Sequence, residues 1–78
     1  MPPKKQLVLR KRLGAAVREC RKELDISQEQ LGAQAHLDRT YISDIERGKR
    51  NPSLDSIAAI AKSLKIQISE LFRLAESK

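Results

Sequence analysis

Aromatic side chains are almost missing from this chain: Tyr41 and Phe72 are the only two, and there is no tryptophan. A core must therefore be built from Leu, Ile, Val and Ala, which suits small packed helices. Cysteine is nearly as scarce. Cys20 stands alone, which excludes an intramolecular disulfide and a cysteine metal cluster and points to a reducing compartment. His36 is the one histidine, and no second ligand stands at a suitable spacing, so neither a metal nor a cofactor is expected. A nucleophile and base would have to be drawn from Cys20 and His36, so catalysis is not expected either. No apolar run approaches the roughly 18 residues that span a bilayer, and the opening Met1-Pro2-Pro3-Lys4-Lys5-Gln6 lacks the apolar stretch of a secretory signal. The expectation is a cytoplasmic protein without a membrane partner. Its 78 residues leave room for one domain and no separate effector module, so no small-molecule ligand is expected.

Acidic residues are the missing sign of charge at the start. Residues 1–22 carry eight Lys or Arg against Glu19 alone, while the remainder has a slight acidic excess and the whole chain is +6. Such asymmetry suits a polyanionic partner, and equally a solubilising end.

The expected architecture is all-α, with a mobile basic arm over residues 1–8, a helical domain over 9–75 and a tail at 76–78. Leu9, Leu13, Val17, Cys20 and Leu24 recur at spacings of four and three, the apolar stripe of a first helix. Ser27 and Gln30 have capping-box spacing and start a second, which runs to about Ala35. Gly32 within it implies close passage of a third helix. Asp38 caps that third helix, which buries Ile42 and Ile45 and stops at a left-handed Gly48. Only a tight turn fits between Ala35 and Asp38, so the second and third helices cross at a large angle as a helix-turn-helix. Ser53 caps a fourth helix with Leu54, Ile57, Ile60, Ala61 and Leu64 inward. Ser69 caps a short fifth, Glu70 to about Ala75, bearing Leu71, Phe72 and Leu74.

A helix presented this way can lie in the DNA major groove with its first turn on base edges. Over residues 39–47 the candidate base contacts are Arg39, Thr40, Ser43, Asp44 and Arg47. Arg39 can bond guanine O6 and N7 as a fork, and Thr40 can bond a base or pack on a thymine methyl. Asp44 can accept from cytosine N4, or else orient Arg39 or Arg47. Gln28, at the positive end of the second helix, and Tyr41, Lys49, Arg50 and Asn51 are candidate phosphate contacts. A plain solvated helix face and turn would carry similar residues. Arg21 and Glu46 can lock the first and third helices together, whereas Arg18 can reach either a phosphate or a carboxylate. Cys20 reads as a buried, inert thiol. Phe72 and Leu74 are candidates for a two-fold dimer seam, which would set two reading helices about one DNA turn apart on a near-palindromic operator.

The stretch from Ser27-Gln28-Glu29-Gln30-Leu31-Gly32 through Ile42-Ser43-Asp44-Ile45-Glu46-Arg47-Gly48 to Asn51-Pro52-Ser53-Leu54 resembles the Cro/lambda-repressor type, or Xre-like, helix-turn-helix family. The resemblance covers about residues 9–74. It implies a five-helix DNA-binding domain, operator contacts from Gln28, Arg39, Thr40 and Asp44, and a structural pair between Arg21 and Glu46. Leu37-Asp38-Arg39-Thr40-Tyr41-Ile42-Ser43, with Ile45-Glu46-Arg47 and Arg50-Asn51, is similar to controller proteins of restriction-modification systems. Those are small dimers that regulate their own promoter and the endonuclease gene. One departure stands out: the family usually has glycine where this chain has His36. The leading expectation is a dimeric transcription regulator on double-stranded DNA. Antitoxin-like and coactivator-like modules, whose main partner is a protein, are the alternatives.

Overall fold

The computed structural model describes residues 3–78; Met1 and Pro2, both in the expected arm, lie outside them. The described residues form α1 (Lys4–Glu23), α2 (Gln28–Ala35), α3 (Arg39–Glu46), α4 (Leu54–Ser63) and α5 (Ile68–Glu76), with no strand among them. This is the expected all-α fold.

Three helices start where the capping residues lie. Ser27 Oγ accepts from the Gln30 amide at 3.0 Å while Gln30 Oε1 accepts from the Ser27 amide at 2.7 Å, a complete capping box. Asp38 Oδ2 accepts from the Thr40 amide at 2.9 Å, and Ser53 Oγ from the Ser56 amide at 3.0 Å. Each bond satisfies an amide that the first turn leaves unpaired.

Four helix ends close in one way. Asp25, His36, Gly48 and Lys65 all adopt left-handed φ angles, between 57° and 73°. Their amides donate to the carbonyls three residues back, and the next amides (Ile26, Leu37, Lys49, Ile66) donate to the carbonyls five residues back. This is the Schellman closure. Only one of the four is glycine, and the left-handed conformation costs other residues about 1–2 kcal/mol. At the three non-glycine ends the following residue, Ile26, Leu37 or Ile66, packs against the core, and that burial offsets the strain. The turn at His36 therefore keeps its left-handed bend, with φ 57° and ψ 40°.

The core is aliphatic: Leu13, Ala16, Val17, Leu31, Ile42, Ile45, Ile60, Ala61, Leu64, Leu71 and Ala75 are buried, with Cys20 at the same seam. Burial raises the Cys20 thiol pKa above its ordinary value, with smaller contributions from Glu23 and Glu70.

Several boundary and facing expectations are corrected. α1 begins at Lys4 rather than Leu9, so residues 4–8 are helix and not an arm. Pro3 stands in an extended conformation just before the helix, and Lys, Gln, Leu and Arg are good helix formers. Leu9 and Leu24 leave the expected stripe and are exposed, at 44% and 37%, while Gly14 and Ala16 face inward. Leu54 is 71% exposed because it occupies the first turn of α4, beyond any partner helix. α5 starts two residues early, at Ile68 after Gln67, so Ser69 is inside the helix and caps nothing. A Cβ on Gly32 would lie 2.6 Å from the Leu37 carbonyl oxygen. The tight neighbour is thus the turn entering α3 rather than the helix itself.

Candidate nucleic-acid interface

The outward face of α3 is held from behind at two points. α1 crosses it at Gly14, where a Cβ would lie 2.2 Å from the Ile45 carbonyl oxygen and 2.7 Å from that of Glu46. Only glycine lets the two backbones approach so closely. Beside this crossing, Arg21 Nε and Nη2 donate to Glu46 Oε2 and Oε1 at 2.7 and 3.0 Å. The Arg21 guanidinium also holds the loop between α1 and α2, donating through Nη1 to the Ile26 carbonyl at 2.9 Å. The side chains are only 12% and 3% exposed, and the hydrogen bond to Glu46 raises the Arg21 pKa. Gln28 Nε2 donates to the same Glu46 Oε1 at 3.1 Å. This bond draws the N-terminus of α2 to the C-terminus of α3.

Asp38 fixes the first turn, and from it Arg39 and Thr40 stand exposed. Among the described residues no carboxylate pairs with Arg39. Ser43 and Asp44 are half-buried one turn on. Asp44 Oδ1 accepts from Arg47 Nη2 at 2.8 Å, and Oδ2 accepts from Arg50 Nη2 at 3.2 Å. The Arg47 bond, then Arg50, hold the Asp44 carboxyl below its usual pKa against an opposing desolvation effect. The Arg50 guanidinium lies 4.5 Å from the centre of the Tyr41 ring, a cation–π contact. The Tyr41 hydroxyl accepts from the Ser53 amide at 3.4 Å, tying α3 to the start of α4.

The candidate residues thus gather in three groups: Arg39 and Thr40 at the tip; Asp44, Arg47, Arg50 and Tyr41 behind it; and Gln28 with Arg21 and Glu46 at the helix junction. Lys49 and Asn51 lie on the exposed loop after α3, Asn51 beside Gln6, Leu9 and Arg10 of α1. Phe72 and Leu74 are elsewhere, half-buried on α5. Phe72 borders a crevice with Leu13, Pro52 and Ile57. Arg18 is exposed on α1. Gly14 was missed by sequence reasoning, although a glycine within an apolar helical stripe is the same signal that drew attention to Gly32.

Among the described residues no group of His, Cys, Asp and Glu is arranged to hold a metal ion, and no helix is long and apolar enough to cross a membrane.

Two adjoining short helices, the second capped by Asp38 and presenting a polar, cationic face, define a helix-turn-helix protein. A helix-turn-helix family model matches residues 17–71, and the chain belongs to that family, in the Xre-like form that residues 27–54 resemble. It is 52% identical over 62 residues to control protein C.MunI from Mycoplasma sp, covering 78% of this chain and 84% of that one. It is 51% identical over 59 residues to control protein C.BamHI from Bacillus amyloliquefaciens, covering 74% and 73%. The crystal structure of the restriction-modification controller protein C.AhdI from Aeromonas hydrophila superposes with a TM-score of 0.78 at 40% identity, over 80% of this chain and 94% of that one. The family is one of DNA-binding transcription regulators.

Proposed function

We propose that this protein is a sequence-specific, double-stranded-DNA-binding transcription regulator that binds a near-palindromic operator as a homodimer. The carrying observation is the exposed first turn of α3, where Arg39 and Thr40 stand free beside a framework built from Arg21, Glu46 and Gly14. With that helix in the major groove, Arg39, Thr40 and Ser43 read base edges. Arg47 and Asp44 lie along the same face. Gln28 at the α2 N-terminus, Tyr41, and Lys49 and Asn51 in the following loop meet phosphates and set the register, with Arg50 beside them on its Asp44 partner. Half-buried Phe72 and Leu74 contribute to the dimer seam. The action is occupancy of a promoter in the cytoplasm, without catalysis, cofactor, metal or small-molecule effector. Similarity to two control proteins and a restriction-modification controller supports a role in governing the genes of such a system.

The test is selection of bound duplexes from a random library at about physiological salt, with light scattering of the free protein. A dimer, and enrichment of a near-palindrome with half-sites about 10 base pairs apart, are the expected results. A monomer, or a library that emerges unenriched, refutes the proposal.

A further inference from the structure

We infer that Asp44 is a specificity-determining residue: by engaging Arg47 and Arg50 it withholds their charge from the phosphates of arbitrary sequence. The inference rests on the reading of α3 as the DNA-reading helix. Both Asp44 oxygens are occupied, one by each guanidinium. The carboxylate is the fixed centre of the group, 22% exposed against 55% for Arg47 and 43% for Arg50. Arg50 is further confined by the Tyr41 ring, itself held through its hydroxyl by the Ser53 amide.

Solvent-exposed ion pairs such as these contribute little to folding, so their consequence falls on binding. Phosphates are present at every site, and cations facing them supply the sequence-independent part of the affinity. A guanidinium held by Asp44 reaches a phosphate only by leaving its partner or by bringing a carboxylate beside that phosphate. Either route weakens the sequence-independent contribution. Arg39 and Thr40, one turn away and without this counter-charge, keep their full capacity for bases. The Asp44 carboxyl is held below its usual pKa by Arg47 and then Arg50, so the carboxylate persists at neutral pH. Asp44 therefore lowers affinity for all DNA while widening the gap between operator and other sequence.

The test compares wild type with Asp44→Asn, the same size without the charge, on the selected duplex and a scrambled one over a range of salt. At about 0.15 M salt each freed cation should tighten scrambled binding by roughly 5-fold and steepen the salt slope by about 0.9. The selected duplex should gain less, so discrimination narrows. Asp44→Ala should behave alike, and adding Arg47→Gln and Arg50→Gln to Asp44→Asn should abolish the gain. Equal loss on both duplexes would make Asp44 structural and overturn the inference. Loss on the selected duplex alone would make it a base contact and also overturn it. If wild type itself binds both duplexes equally, the base-reading proposal fails, a result separate from either.

Discussion

Replacing Gly14 by alanine should destabilise this protein, although intrinsic helix propensity says the reverse. Gly14 is interior to α1, and in an uncrowded helix the exchange gains about 1 kcal/mol. The added Cβ would instead meet the Ile45 oxygen at 2.2 Å and the Glu46 carbonyl at 2.7–2.8 Å. Both obstacles are backbone, so no side chain can swing aside. Ordinary contact requires α1 and the end of α3 to separate by about 1 Å, and forced overpacking of this kind typically costs 1–3 kcal/mol. Because the crowding is severe, the upper part of that range applies. Subtracting the propensity gain leaves a net loss of about 1–2 kcal/mol. For a domain of this size that lowers the thermal midpoint by roughly 5–15 °C. Circular dichroism melts of the two proteins measure it directly. A midpoint that rises would show that α1 and α3 are not in backbone contact at Gly14, and the account of how α3 is seated would fall.

Other substitutions test the remaining contacts. Glu46→Ala leaves Arg21 nearly buried without its partner and should cost about 2–4 kcal/mol in urea denaturation; if Arg21→Ala and Glu46→Ala prove additive in the double variant, the pair is not coupled. His36→Gly relieves a left-handed residue and should raise stability by about 0.5–1 kcal/mol, so an unchanged or lower melting midpoint contradicts the strain. For Cys20 the folded thiol pKa is raised by burial. Its contribution to stability is therefore complete below the unfolded thiol pKa and is lost as pH rises through the folded one; native Cys20 should also react with a thiol reagent far more slowly than the urea-unfolded chain, and equal rates would show it is not buried. Arg39→Ala should weaken binding to the selected duplex by about 1–3 kcal/mol and relax preference at one base pair per half-site; a uniform loss over all sequences would assign Arg39 to phosphate.

Local chemistry made much of this molecule legible from its residues. Ser27, Asp38 and Ser53 announce three helix starts because each cap bonds an amide only two or three residues away. Gly48 marks a stop because its left-handed φ is a property of one residue. The order of helices, the tight turn at His36 and the outward position of Arg39 and Thr40 follow from these and from the apolar spacing. Facing was less secure. Leu9, Leu24 and Leu54 carry the right periodicity but lie where no helix covers them, and periodicity records which side a residue is on without recording how far the partner extends. Gly14, the Gln28 bond to Glu46 and the Tyr41 hydroxyl at Ser53 depend on how separate segments meet. The partners of Asp44 divide on the same line: Arg47, the residue that closes α3, is only three positions on, whereas Arg50 returns only because the chain bends at Gly48. Sequence determined what is bonded within a turn of helix; tertiary structure decided what approaches across segments, since those distances are set by the packing of the whole core.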